Sequence, residues 1–463
     1  MWVGLAGALL VFVGLSTLHA LVVPPLAPFD EPAHFAYARH LAKGGELPTI
    51  DTKIEPRSSP LVRKQPRKIW VANHPPLYYA LVAPLVGTRP GEVGIAAATQ
   101  RARTATLALS AVGLIYVFLL ARLLLPRRPA VALAATLVTA CIPALGHVSA
   151  LVHNDALAFL TSAALMHAAT AALVRGPAPS RVAVACFWAA ACALTRFTGV
   201  VTLGAASLAL FFAGLFHARG GWGRRAGVGV LLGALVGGAA VLAAGWFFAR
   251  NVHLYGDLTG ATKLLGLFGR RGKASVVELA LRGKTWLALY DDLFGRFGAG
   301  ARIKGGAVLL GRALVVLGAL GAVTKLDAFR RAYDKRALLA SPRTAAVLVE
   351  VVLLAGLLAG ILSFHAKGGS LHARYLLPGL WVLALALVVP LGVRRSAIGL
   401  LLMMVAALGA ALFALAGYAA FLLGGERAVL AALGKPSVGL ALACACGGAV
   451  LCAIAVVKNH RAA

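Results

Sequence analysis

MWVGLAGALLVFVGLSTLHALVV, residues 1–23, contains no Asp, Glu, Lys or Arg, and PPLAPFDEPAHFAY, residues 24–37, follows it at once. At ~1.5 Å per residue the first run is long enough as a helix to cross the hydrocarbon of a bilayer. The second breaks that helix with tandem proline and places two adjacent acids just beyond it. The run has neither a basic stretch before it nor an Ala-x-Ala-like cleavage site, so it reads as a retained first helix rather than a removed leader.

Comparable runs recur along all 463 residues, at 2–23, 104–125, 129–149, 155–174, 181–195, 198–217, 226–248, 303–323, 344–364, 373–391, 396–420 and 437–457. The chain is 60% hydrophobic and 13% charged, with mean hydropathy +0.86, which leaves too little polar surface for a soluble domain of this size. The expected fold is all-α: a polytopic membrane protein of about twelve transmembrane helices forming one integral unit over residues 1–463. No motif recurs in its two halves, so an internal repeat of the transporter kind is not expected. Cys141, Cys186, Cys192, Cys444, Cys446 and Cys452 all fall within apolar runs, as small buried side chains rather than a disulfide or zinc framework.

Lys and Arg number 45 against 15 Asp and Glu, a formal charge of +30. The cations punctuate apolar runs, so their expected partners are the lipid bilayer and phosphorylated lipid rather than nucleic acid. The short loops holding Arg127 and Arg128, Arg175 to Arg181, Arg219 to Arg225, and Arg394 and Arg395 are basic, as are the segment Lys325 to Arg343 and the tail Lys458 to Arg461. In that segment lie Arg330, Arg331, Lys335 and Arg336. The positive-inside rule makes these loops and both termini cytoplasmic. Two long loops, 24–103 and 250–304, then face outward. Each contains an amphipathic stretch suited to the interface, Phe29 to Leu41 and Val276 to Leu293.

That topology gathers chemistry at the outer face. Asp30 is placed to cap a helix with Glu31 and Pro32 in its first turn, while Asp30 and His34, four residues apart, share a face. A carboxylate beside an imidazole suits proton abstraction from a hydroxyl or a divalent metal cation, for which Glu31, His34 and Asp155 offer ligands. His153-Asn154-Asp155 opens another helix, either as a cap or as a second acidic site. Asn73-His74-Pro75-Pro76-Leu77-Tyr78-Tyr79 precedes an apolar helix too short to span, with His74 able to meet an anion. Arg196 interrupts an apolar run too long for one helix, and is either a snorkelling turn residue or a phosphate ligand at membrane depth. Arg250 with Tyr255, and Arg374 with Tyr375, pair cation and phenol at helix ends, as belt anchors and phosphate sites both do. Asp291 and Asp292 read as solvated acids on an interfacial helix.

Taken in order, these segments resemble the GT-C superfamily of polyprenol-phosphate-sugar-dependent glycosyltransferases. They are similar to its bacterial members related to protein mannosyltransferases and the lipid A aminoarabinose transferase, and to a bacterial family with an Asp-Glu-Pro-x-His opening. The resemblance runs from the first helix to about residue 260 and resumes from Arg374 to Pro378. It implies that Asp30, with Glu31, supplies the catalytic carboxylate and that Asp155 is the second acid of the outer loops. His74 stands where some relatives have Lys before Pro-Pro, and Arg196 where many have Lys, so both are implied to contact the carrier phosphate. The His for Lys change would make that contact pH-dependent.

The implied activity is inverting transfer of a sugar from a polyprenyl-phosphate-linked donor to an envelope glycan, lipid or protein acceptor. It would take place at the outer face of a bacterial cytoplasmic (inner) membrane. His34, His74, Tyr78, Arg196, Arg250, Tyr255, Arg374 and Tyr375 would bind substrate. The alternatives are a transporter or lipid-carrier flippase, for which Glu350 is the carboxylate inside a helix, and a non-catalytic assembly subunit.

Overall fold

In the computed structural model the helices fall on the apolar runs. The structure describes residues 1–27, 30–54, 68–87, 92–272, 274–297, 301–303, 305–323, 341–393 and 397–461. Phe29, Arg330, Arg331, Lys335, Arg336, Arg394 and Arg395 of the sequence reading lie outside the described residues.

In order the helices are α1 (Trp2–Val22), α2 (Glu31–Ala42), α3 (Leu77–Val86), α4 (Glu92–Leu124), α5 (Pro129–Cys141), α6 (Pro143–Ser149), α7 (Asp155–Arg175), α8 (Pro179–Ala193), α9 (Gly199–His217) and α10 (Trp222–Tyr255). They continue as α11 (Ala261–Leu267), α12 (Val276–Leu281), α13 (Gly283–Gly295), α14 (Gly306–Val323), α15 (Pro342–Ala366), α16 (Leu380–Val388), α17 (Ile398–Leu423), α18 (Glu426–Leu433) and α19 (Pro436–Arg461). Among the described residues nine helices are long and apolar enough to span a bilayer, or ten if α5 and α6 form one broken span. The shorter apolar stretches Pro179–Ala193 and Ala373–Val388 occupy the remaining expected positions. All six cysteines are free, Cys446 exposed and Cys141, Cys192 and Cys452 buried.

Small residues let α1 and α19 approach closely. A Cβ at Gly7 of α1 would stand 2.6 Å from the Gly448 carbonyl of α19, and one at Gly448 would stand 2.5 Å from the Gly7 carbonyl. With no hydrophobic drive between helices in lipid, this close backbone approach supplies dispersion contact that larger side chains would prevent. At the break between α5 and α6, Pro143 has no N–H to continue the ladder and the axis turns by 62°. α7 is the central helix, with 89% of its apolar window buried, whereas α10, at 17%, faces outward.

The described part of the first long loop does not lie flat. It folds into a cap with its own core, in which Phe35, Tyr37, Trp70, Tyr78 and Tyr79 pack with Ala98 and Ala102 of α4 and Leu157 of α7. The two amphipathic stretches therefore differ. α2 is enclosed by protein from Glu31 to Ala38, while Val277, Leu281, Trp286 and Leu287 of α12 and α13 are exposed, as an interfacial pair requires.

Candidate active site

The cap, the start of α7, the turn after α8 and the turn that enters α16 bring together a charged cluster. Asp30 occupies the N-cap position of α2 and Asn154 that of α7, yet neither side chain bonds its own helix. The capping explanation available from sequence thus leaves the Asp30 carboxylate unused by its helix. It accepts instead from Arg374 Nη1 at 2.5 Å and from Trp70 Nε1 at 3.4 Å, with His153 Nε2 at 3.7 Å. Arg374 stands on a 3₁₀ turn, Ala373–Gly379, entering α16.

The second acid repeats the pattern. Asp155, in the first turn of α7, pairs with Arg196 from the turn between α8 and α9. That turn divides the overlong apolar run, and the guanidinium points inward, 8% exposed, rather than snorkelling outward. Both guanidinium groups lie against Tyr375, at 5.2 Å for Arg196 and 5.5 Å for Arg374. His153 joins the two acids: its Nδ1 accepts the Asp155 backbone N–H at 3.1 Å, and its Nε2 faces Asp30. Four rings form a wall beside them. Tyr37 stacks on Tyr79 with centroids 3.7 Å apart, Tyr79 is bonded to His34 Nδ1 at 2.9 Å, and His74 lies parallel to His34 at 6.4 Å.

Electrostatics follows from this enclosure. Burial alone would raise the Asp30 proton affinity, but the Arg374 guanidinium, aided by His153 and His34, holds the carboxyl well below its ordinary range. Burial lowers His153 to about 4 despite Asp30. Burial, with the positive neighbours, likewise keeps His34 and His74 well below the usual imidazole range. At neutral pH the acid is ionised and the three imidazoles are neutral.

Several expected members stand elsewhere. Glu31 is fully buried and turned away from the cluster. Its oxygens accept from Arg103 Nε and Nη2, each at 2.7 Å, and from the backbone N–H groups of Val152 at 3.0 Å and Leu26 at 2.9 Å. Arg103 also donates to the carbonyls of Ala20, Val23 and Pro24. Tyr78 points behind the site and bonds Thr106 of α4 at 2.6 Å; Tyr79, one residue on, is the phenol beside His34. Arg250 donates to the carbonyls of Leu47 and Pro48, and Tyr255 accepts from the Ile50 N–H at 3.1 Å. With Asn251 bonded to the Asn73 carbonyl, these residues latch the end of α10 to the first loop. The expectation of solvated acids on α13 is corrected as well. Asp291 pairs with Arg312 at 2.5 Å, and Asp292, only 13% exposed, is bonded to Arg296 at 3.1 Å.

The metal set expected from sequence, Glu31, His34 and Asp155, is not the one assembled, because Glu31 is saturated by Arg103 and Asp155 is paired with Arg196. Asp30, His34 and His153 instead bring donor atoms within 4.8 Å of one another, a candidate group for a cation. As arranged, that group does not fit a divalent ion. Arg374 Nη1 lies 2.5 Å from Asp30 Oδ2 and 3.0 Å from His153 Nε2, and so already fills the cation position between them.

Sequence alone assigns no role to His153 or Tyr79 and does not single out Arg103 or Trp70. For His153 the adjacent Asp155 was a usable signal. For Arg103, buried in an apolar helix, intramembrane charge was the signal.

No protein-family model matches the chain, and no curated protein matches it. Solved structures do. The chain is similar to ArnT from Cupriavidus metallidurans bound to undecaprenyl phosphate, with 17% identity, 100% of this chain and 77% of that chain covered, and TM-score 0.49. It is also similar to the apo form of the Archaeoglobus fulgidus oligosaccharyltransferase, with 13% identity, 94% of this chain and 55% of that chain covered, and TM-score 0.43.

Proposed function

We propose that this protein is an inverting membrane glycosyltransferase of the GT-C type. It takes a sugar from a polyprenyl phosphate carrier and passes it to a hydroxyl of an envelope glycan, lipid or protein at the outer face of a bacterial inner membrane. The observation that carries this reading is the pair of buried carboxylate–arginine contacts, Asp30–Arg374 and Asp155–Arg196, set side by side at one end of the bundle. Two acids suit an attacking hydroxyl, and two guanidinium groups suit a departing phosphate.

The pairs also suggest an order of events. Arg374 bonded to Asp30 suppresses the basicity of that carboxylate. A carrier phosphate entering the site competes for Arg374 and Arg196, and Asp30 regains proton affinity as its cation is drawn away. The acceptor oxygen then attacks the anomeric carbon while the bond from that carbon to the phosphate oxygen breaks. The electron pair leaves with the phosphate, held by the two guanidinium groups, and the acceptor proton goes to Asp30. One displacement from the opposite face inverts the anomeric centre. His153 holds Asp30, and His74, the partly open end of the ring wall, borders the sugar. Both substrates are anchored in one bilayer, so orientation supplies much of the acceleration.

Orientation follows the same reading. α4, α7 and α9 run from the site end of the bundle to Arg127 and Arg128, to Arg175 and to Arg219, respectively, and short basic loops of this kind favour the cytoplasm. That supports an outward site. Among the described residues the other buried Asp, Glu and Arg side chains gather at the site end, while Glu350 stands apart and accepts from Trp381 Nε1 at 3.0 Å. A carrier or flippase reading would want such groups spread along a path through the bundle.

The test is transfer from a panel of radiolabelled polyprenyl-phosphate sugars by the purified protein in vesicles, wild type beside Asp30→Asn. Turnover that the substitution abolishes, with folding intact, supports the reading. Turnover that survives removes Asp30 as the base, and carrier binding without turnover of any donor moves the assignment to a flippase or subunit.

A further inference from the structure

Arg374 governs the state of Asp30, yet it stands on a short turn at the end of a connecting segment. That segment leaves α15 at Ala366 and is gripped from outside its own elements. Asp292 in the last turn of α13 and Arg296, the residue that follows the helix, are four residues apart and bonded to each other at 3.1 Å. Arg296 Nη1 donates to the Leu371 carbonyl at 2.6 Å, and Asp292 Oδ2 accepts the Ala373 N–H at 3.3 Å. The two side chains thus hold the backbone on both sides of His372, whose Nδ1 is 3.5 Å from the same Asp292 oxygen. The next residue is Arg374.

The arrangement is reciprocal in its chemistry. The acid satisfies a backbone donor and the guanidinium a backbone acceptor, so the grip fixes both the position and the rotation of the peptide groups that aim Arg374. Asp292 is largely withdrawn from solvent, and an acid bonded in this way orders a turn more firmly than a solvated one. Farther back, Arg270 donates to Ser370 Oγ at 2.5 Å and His365 Nδ1 meets the Gly369 carbonyl at 2.7 Å. Those contacts hold the segment earlier, and the clasp on α13 is the one adjoining Arg374.

We propose that Asp292 and Arg296 are positioning residues that aim Arg374 at the Asp30–phosphate site. The proposal rests on the glycosyltransferase reading only in placing Arg374 in the transfer machinery. Asp292 touches no reacting atom and acts through the turn.

The experiment combines kinetics with a structure that needs no turnover. In full-length Asp292→Asn reconstituted in nanodiscs, the cryo-EM map is expected to show Arg374 withdrawn beyond hydrogen-bond reach of Asp30. In transfer assays its kcat is expected to fall about tenfold with KM within about twofold, the mark of an interaction realised at the transition state. Asp292→Glu, which keeps the charge, restores part of that loss. In an Arg374→Ala background, Asp292→Asn is expected to cost nothing further. Arg296→Lys, which retains a cation but shortens its reach to Leu371, provides the same readings should Asp292→Asn not fold. Arg374 still seated on Asp30 in the folded variants, or a loss that multiplies with Arg374→Ala, overturns the proposal. A wild type without any transfer would overturn the function instead, and the map would still decide the clasp.

Discussion

Asp30 and Glu31 are adjacent in the chain, both buried, and each faces an arginine, yet their surroundings differ in kind. Glu31 is met by four donors from Arg103, Val152 and Leu26, which use the acceptor capacity of both oxygens. Asp30 meets Arg374 closely, Trp70 at 3.4 Å and His153 at 3.7 Å, contacts that a ligand can displace. Arg103 in turn is held by three backbone carbonyls, whereas Arg374 is shared between an acid, an imidazole and a phenol ring. One pair is saturated and tied to backbone. The other is made of side chains with capacity to spare, and that difference separates a structural acid from a reactive one where residue type and burial do not.

Substitutions can break this contrast. The largest expected effect is on activity at Asp30: Asp30→Asn lowers the transfer rate by about 10²–10⁴-fold, the contribution typical of a positioned base, with a smaller loss of thermal stability than at Glu31, since Arg374 is less enclosed than Arg103. Comparable activity in the two proteins would show that the two acids do not divide as described. Next is stability at Glu31. Glu31→Gln strands the buried Arg103 guanidinium and costs about 3–5 kcal/mol, read as a lower unfolding temperature in detergent. An unchanged unfolding temperature would remove the clamp.

pH sharpens the comparison without mutation. The Asp30 carboxyl is depressed in the free protein, so its base form persists above that low value and is lost only as pH falls through it. The acid limb of kcat/KM, which reports the free enzyme, is expected below the ordinary carboxylate range. A limb between about pH 6 and 7 would instead assign the base to an imidazole free of its neighbours. The smallest expected effect is at Tyr78→Phe, which removes one bond to Thr106 and costs about 0.5–1.5 kcal/mol of stability with kcat unaltered. A large fall in kcat would return Tyr78 to the site.

How far the sequence could anticipate this depended on the range of the interaction. The spans were legible because each apolar run carries its own signal, and the split at Arg196 was legible because one run exceeded a membrane thickness. Asp30, His34, His74, Asp155, Arg196, Arg374 and Tyr375 were named and are brought together. What spacing could not supply was direction and partnership. Tyr78 and Tyr79 sit on different faces of one short helix, and only the docking of α3 on α4 decides which phenol reaches His34. Arg250 and Tyr255 had the composition of a phosphate site but are turned toward the loop backbone they secure, Arg250 at two carbonyls and Tyr255 at the Ile50 N–H. The Glu31–Arg103 pair joins residues 72 apart, beyond any helical period. The proposed metal ligands failed for the same reason, each acid having a cation supplied by a distant element.

The glycine contact between α1 and α19 has a consequence for biogenesis. Gly7 and Gly448 lie at opposite ends of the sequence, so α1 is synthesised and inserted long before the surface that fits it exists. Until then its glycine face must be shielded by lipid or by the insertion machinery. A nascent chain stalled before α19 would show quality-control proteases a backbone groove that the α1–α19 contact hides, and the meeting of these two helices is a natural checkpoint for the helices inserted between them.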